Sequence, residues 1–448
     1  MDIDTDIATA LRPMMIRYFK WRYGEKAVCS IATENSYNSK SAIQMAGRDR
    51  ADELFGQLDK TMSKKRKSQF TLEHVTPLSD MIESTLSLNK IAAYMRGETV
   101  TKDNKELQKY EKVAKYISEL KEGSEERLIF NRALLIEGRL YATGVHAGGV
   151  VISDNDDIND YVPLAWNEEN QVWVAQCNMI RLEERGLLKM DVLGLNTLDV
   201  ISDTLQMIEQ NHGITLNPDE FPFEKEVFRE IYAKGFTNSV FQFESPGMKK
   251  MLRDFQPDCI EDIILLVAAY RPGPMQYIPK IIDVKKGRKK VSYLTPELEP
   301  ILKNTYGSII YQEQVMQIFQ TLAGYSLGGA DLVRRAMSKK KMKKLEIERQ
   351  AFVYGDEKRN IPGCIKNGIS EYKANALFDQ MMDFAKYAFN KSHAASYAVV
   401  SYQTAYLKYH YPVEFNCAML NNKPQDKYGP ILEAVSYTHL TLPTNIRV

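Results

Sequence analysis

Met1-Asp-Ile-Asp-Thr-Asp-Ile7 alternates a carboxylate with isoleucine or threonine at a period of two, which predicts a β-strand with Asp2, Asp4 and Asp6 on one face. Same-face neighbours on a strand lie about 6–7 Å apart at the backbone, so Asp2 and Asp4 are spaced for a pair of divalent cations to bridge. Carboxylates crowded in this way repel unless cations compensate them. From spacing alone, an exposed acidic edge strand is the equal alternative. Since the strand opens the sequence, its sheet partners are expected to lie upstream of residue 1, as in a truncated chain.

A second strand weighs against the edge-strand reading. In Leu187-Leu-Lys-Met-Asp-Val-Leu193, Leu187, Lys189 and Asp191 alternate with Leu188, Met190 and Val192, so Lys189 and Asp191 share a face within an apolar frame where unpaired charge is costly. Carboxylates from two strands with a lysine beside them are what two-metal phosphoryl transfer needs. Further out, residues 34–140 are rich in Lys, Glu, Ser and Leu and read as a helical insertion, with Lys105 to Leu120 an amphipathic helix. Val150-Val-Ile152 is strand-like. From 196 to 434 the pattern is mainly helical, punctuated at Arg271-Pro-Gly-Pro274 and Gly328-Gly329. There is no internal repeat.

A chain of 448 residues exceeds one hydrophobic core and suggests about two to four domains. Its 44% hydrophobic and 26% charged residues are those of an ordinary globular protein, which excludes disorder as the default. No apolar run approaches the roughly 20 residues that cross a bilayer, and no signal-peptide succession opens the chain, so a cytoplasmic protein with no membrane partner is expected. The five cysteines lie far apart without CxxC or CxxH pairing, which points to reduced thiols rather than disulfides or structural zinc. Net charge is only +1, yet Lys64 to Lys67, Lys285 to Lys290 and Lys339 to Lys344 are dense basic clusters of the kind that meet a polyanion.

The succession of Asp2-Ile-Asp-Thr-Asp6, His146-Ala-Gly-Gly149, Lys189-Met-Asp-Val-Leu-Gly-Leu195, Phe241-Gln-Phe-Glu-Ser245, Arg271-Pro-Gly-Pro274, Tyr311-Gln-Glu-Gln-Val-Met316, Gly328-Gly-Ala-Asp-Leu-Val-Arg-Arg335 and Phe389-Asn-Lys-Ser-His393 resembles the C-family bacterial replicative DNA polymerases, from residue 2 to about 420. The resemblance implies an α+β fold: a partial polymerase-beta-like nucleotidyltransferase palm (1–33 and 141–195), a helical thumb inserted at 34–140, and large, mainly helical fingers at 196–434. It implies template-directed DNA synthesis, with nucleotidyl transfer from dNTP to a primer 3′ end and two Mg²⁺ ions held by Asp2, Asp4 and Asp191.

Further assignments follow from the same resemblance, each beside a plainer one. Lys189 is placed near the incoming triphosphate, or is a solvated strand lysine. Arg334 and Arg335 resemble a triphosphate clamp, for which the guanidinium fork is suited, or form surface ion pairs. Asn390, Lys391 and His393 match a fingers loop that faces the nucleotide, or supply a helix cap and a core histidine. His146, Gly148 and Gly149 admit close approach of primer or nucleotide, or form a tight turn. Lys64, Lys65, Arg66 and Lys67, and Lys339, Lys340 and Lys341, are assigned to the DNA backbone, or are solvated faces.

The chain departs from the family where Met1 replaces a proline before the first aspartate. The PHP domain and a phosphate-contacting Gly-Ser segment are missing upstream. The helix-hairpin-helix, clamp-binding and OB-like regions, through which the sliding clamp and other replisome subunits bind, are missing downstream. Residues 435–448 resemble translated sequencing adapter and are set aside as a non-native tail. The isolated fragment is accordingly expected to bind primer-template DNA weakly and to polymerise little. The alternatives are a metal-dependent phosphohydrolase or nuclease, or a catalytically incompetent DNA-binding module. Against a hydrolase, none of the six histidines neighbours Asp2, Asp4 or Asp191 in sequence.

Overall fold

The two acidic segments become adjacent strands. Among the described residues, β1 (Ile3–Ile7), β2 (Val28–Ser36), β3 (Leu140–Ile152), β4 (Leu164–Asn167), β5 (Val172–Ala175) and β6 (Leu188–Gly194) form one mixed sheet in the order β1-β6-β3-β2-β5-β4. The computed structural model describes residues 3–101, 104–153, 157–169, 171–271, 273–338, 342–384 and 388–423. It divides into two units, Met1–Gly194 and Leu195–Val448.

β1 runs parallel to β6, with Asp4 in register with Asp191. The expectation that the partners of β1 lie upstream is therefore corrected on one side. A period of two marks a strand and its faces, but which strand it joins is set by burial and register far along the chain. β6 pairs antiparallel with β3, Gly149 opposite Asp191 and Val151 opposite Lys189.

Both faces of the sheet are covered, which is why Val150-Val-Ile152 reads as a continuous apolar run. On one face, α1 (Arg12–Tyr23) sends Phe19 into a core with Val28, Val150 and Val192. On the other, Cys29, Ile31 and Val151 pack with Ala175, Leu182 and Leu187. Arg12 Nε donates to the Val192 carbonyl at 2.9 Å and ties α1 to β6.

Between β2 and β3 run α2 (Ser39–Phe55), α3 (Lys60–Phe70), α4 (Thr76–Met81), α5 (Leu88–Met95), α6 (Asn104–Glu119) and α7 (Glu125–Ile136). They share a separate core that includes Ile43, Leu78, Ile91, Ile117 and Phe130. Asn38, Asp59, Ser87 and Ser124 cap α2, α3, α5 and α7 by accepting first-turn N–H groups. Gly47 lets α2 approach the π-helical turn Thr71–Val75, since a Cβ there would stand 2.3 Å from Val75 Cγ2. A short helix, α8 (Met179–Glu184), precedes β6.

The second unit is helical. Phe243, Phe319, Phe352, Phe378 and Tyr402 lie in its main core, and the 20-residue helix Lys391–His410 contributes Ala394, Ala398, Tyr402 and Ala405 to it. Among the described residues no helix is long and apolar enough to cross a membrane.

Candidate active site

Alternation along β6 puts Lys189 and Asp191 on the face shared with Val151. Lys189 Nζ meets Asp191 Oδ2 at 2.9 Å and lies 3.2 Å from Met179 Sδ. Asp191 Oδ1 is buried and has no hydrogen-bond partner among the described residues. Its neighbour is His146 Nδ1, 3.8 Å away, brought there by the fold from far off in sequence.

That nitrogen cannot supply a proton, because it already accepts the backbone N–H groups of Gly148 at 3.2 Å and Gly149 at 2.6 Å. The proton of a neutral ring then sits on Nε2. A shielded carboxylate oxygen without a donor is costly in isolation, and a cation is what such an atom lacks. The backbone of Asp4 adjoins that of Asp191 through the strand register. Asp2 lies outside the described residues, and for Asp4 the backbone alone is described. The ligand atom described in this corner is thus a carboxylate oxygen, suited to a hard divalent ion, while the Nδ1 lone pair of His146 is engaged elsewhere.

His146-Ala-Gly-Gly149 is a bulge. Ser30 pairs with Val150 and Ala32 with Val145, so Ile31 alone opposes four residues of β3. The glycines have an internal reason to be there: a Cβ on Gly148 would stand 2.3 Å from Leu193 Cδ2, and one on Gly149 would stand 2.8 Å from His146 Nδ1.

In the second unit the motifs from Arg271 to His393 assemble around the start of helix Lys391–His410. Arg334 donates to Asp331 Oδ1 through Nε at 2.9 Å and Nη2 at 2.7 Å, and to Gln312 Oε1 through Nη1 at 2.9 Å. Arg335 Nε reaches the other oxygen of Asp331 at 2.7 Å. Burial acts to raise the Asp331 carboxyl, but hydrogen bonds and charge from both arginines hold it below the usual carboxylate range. The two arginines differ in access, with Arg334 17% exposed at its side chain and Arg335 61%.

Asn390 is the N-cap of the helix, accepting the His393 N–H at 2.9 Å. The Lys391 N–H is shared by both oxygens of Glu313 at 3.0 Å, and the His393 ring packs against Phe389 and Tyr397. Two residues that the motifs left without a role join this group. Arg271 stacks its guanidinium 3.6 Å over the Phe389 ring, and Gln312 links Arg334 to the Ala388 carbonyl at 3.0 Å. Arg271 lay inside a quoted motif, but stacking pairs have no sequence spacing that would reveal them.

Lys64, Lys65 and Arg66 are exposed along α3, whereas Lys67 pairs with Asp52 at 2.5 Å. Arg48, Lys60, Lys64 and Lys67 line a groove of about 640 Å³ between α2 and α3. Lys339, Lys340 and Lys341 lie outside the described residues. The acidic group of Asp258 and Asp262 is already met by Lys285, at 3.3 and 2.5 Å, and is not a vacant metal cage.

The chain is similar to known sequences along most of its length. Residues 1–194 match the family described as the bacterial DNA polymerase III alpha NTPase domain, and residues 197–360 match the bacterial DNA polymerase III alpha subunit finger domain. The DNA polymerase III subunit alpha of Thermus aquaticus is 38% identical over 436 residues, covering 95% of this chain and 32% of that protein. That of Pseudomonas aeruginosa is 37% identical over 454 residues (98% and 35%), and that of Bacillus subtilis 36% over 421 (94% and 34%). The chain spans about a third of the length of the curated relatives it matches.

Proposed function

Because the chain belongs to the family of bacterial DNA polymerase III alpha subunits, we propose that it serves template-directed DNA synthesis, adding deoxynucleotides to a primer 3′ end. In this reading the six-stranded sheet is a nucleotidyltransferase palm, α2–α7 are a thumb set into it, and the second unit is the fingers. Primer-template DNA and dNTPs are the partners required, in the bacterial cytoplasm.

One observation carries the reading: Asp191 Oδ1, buried and without a donor among the described residues, beside the registered backbone of Asp4. Register partners in a sheet share a face, which favours Asp2, Asp4 and Asp191 as a common ligand set. Two Mg²⁺ ions held there would lower the pKa of the attacking 3′ oxygen and neutralise the departing pyrophosphate.

The residues of the chain prepare that site. Lys189 holds Asp191 Oδ2 and leaves Oδ1 to a cation, while adding positive charge where a triphosphate would lie. His146 accepts the N–H groups of Gly148 and Gly149 and so keeps those two donors from that oxygen. Arg335, with its guanidinium exposed, is suited to bind the triphosphate, and Arg334 orients it through their shared Asp331. Asn390 fixes the turn that presents Lys391 and His393. The exposed cations of α3 offer sequence-independent contact to the DNA backbone.

The test is primer extension in Mg²⁺ by a polymerase of full family length carrying this segment, with Asp191→Asn. Extension is expected to fall by about 10²-fold or more, the scale on which loss of one preorganised electrostatic group is felt, while DNA binding persists. Near-normal extension by the Asn variant would remove Asp191 from the mechanism.

A further inference from the structure

Helix α1 buries one side on the sheet and yet exposes a second apolar stripe. Leu11, just before its first turn, is 50% exposed, Met14 56%, Tyr18 51% and Trp21 77%. At about 100° per residue, positions 11, 14, 18 and 21 fall within about 80° of arc, which does not overlap the arc of the inward-facing Met15, Ile16 and Phe19, begun about 40° beyond Leu11. Their spacing of three, four and three is the a/d spacing of a heptad, in which Arg17 and Arg22 take the flanking g and e positions.

The charge on this helix is one-sided. Residues 12–23 contain four cations and no carboxylate. Arg12 is spent on the Val192 carbonyl and Lys20 on Glu25, at 2.6 Å. Arg17 and Arg22 pair with no carboxylate among the described residues, and Arg22 lies 5.4 Å over the Tyr23 ring. A solvent-facing helix in a globular protein ordinarily turns polar residues outward, and a contiguous exposed apolar stripe marks an interaction surface. Trp, Tyr and Arg are the residue types that dominate binding energy at protein interfaces.

From this stripe and its flanking arginines we infer that α1 docks an amphipathic helix of a partner protein, with apolar residues at its a and d positions and carboxylates at e and g. The rings of Tyr18 and Trp21, 5.9 Å apart, fill the partner's holes, and Arg17 and Arg22 pair with its flanking carboxylates. A second copy of this chain fits poorly, since it would set arginine against arginine. The face is on the side of the sheet away from Lys189 and Asp191, so docking there is a matter of assembly rather than of the chemistry.

The probe is a fluorescein-labelled synthetic helix of three heptads with Leu at a and d and Glu at e and g, titrated with the 448-residue chain by anisotropy. Saturable binding is expected, weakened about tenfold or more by Trp21→Ala. Arg17→Glu with Arg22→Glu should abolish binding of the Glu peptide and create binding of its Lys counterpart. The charge swap decides the matter even where Trp21→Ala lowers the melting temperature, because it leaves the apolar stripe intact. Equal binding of Glu and Lys peptides by the unaltered chain, or no effect of either variant, would overturn the inference. So would oligo(dT) binding, or a dimer seen by sedimentation, that Trp21→Ala removes while peptide binding is unchanged.

Discussion

Asp191 and Gly148 show how much depends on single atoms. Asp191 Oδ1, without a hydrogen-bond partner among the described residues, allows a test on this chain independent of turnover. Mn²⁺ titration followed by electron paramagnetic resonance should show binding that Asp191→Asn weakens by about tenfold or more, as expected when one charged ligand is lost; unchanged binding would place the ion elsewhere. Gly148 serves the bulge in another way. Gly148→Ala would press a methyl group into Leu193, at a cost of roughly 1–3 kcal/mol in urea denaturation. Leu193 is 38% exposed, so Leu193→Ala in the same background should recover most of that loss. No recovery would mean that the backbone of Val192, 3.5 Å from such a Cβ, sets the cost rather than Leu193. Of these features, the carboxylate face of β6 was legible in sequence as plain alternation. The closeness of His146 was not, because it depends on a bulge that only the pairing with β2 creates.

At the scale of the element, helix ends and loop supports dominate. The start of α5 is held by Glu137, whose carboxylate accepts Leu88 N–H at 2.7 Å, Asn89 N–H at 3.0 Å and the Ser87 hydroxyl at 2.9 Å. Glu137→Ala should destabilise this helical insertion by about 1–2 kcal/mol in a urea melt, with Glu137→Gln milder; an unchanged midpoint would make the cap dispensable. In the second unit, the loop after Gly235 rests on the ammonium of Lys408, which donates to the Phe236 and Asn238 carbonyls at 2.7 and 2.8 Å. Burial, reinforced by Lys249 and opposed by Glu244, pushes Lys408 down to about 8.

The sign of the pH effect follows from that shift. Between about pH 8 and the ordinary lysine value near 10.4, the unfolded chain holds a proton that the folded chain has released, so this group makes stability rise with pH. Relative to Lys408→Met, the unaltered chain should gain on the order of 2 kcal/mol across that window. Parallel stability profiles would show that the shift is absent.

For the whole molecule, the apolar clusters of the described residues divide as the two units do. The cores around Ile43, Val151 and Val192 belong to Met1–Gly194, and those around Phe319 and Phe415 to Leu195–Val448. Cooperativity is carried by shared buried surface, so calorimetry is expected to show two transitions rather than one, with Glu137→Ala moving only that of the first unit. A single transition shifted as a whole would mean that the units unfold together.

The sequence by itself determined the local character of this protein. Period-two alternation announced the acidic strand and the shared face of Lys189 and Asp191, helical periodicity announced α6 within a residue at each end, and the order of short motifs carried the family. Only the tertiary structure decided that β1 lies beside β6, that His146 faces Asp191 with its Nδ1 already engaged, that Asp331 binds both Arg334 and Arg335, and that α1 keeps an apolar stripe outside its core. Periodicity follows from the geometry of one backbone segment and is written in neighbouring residues. Partner choice follows from burying two faces at once and satisfying each buried polar atom, and those conditions join residues that no local pattern connects.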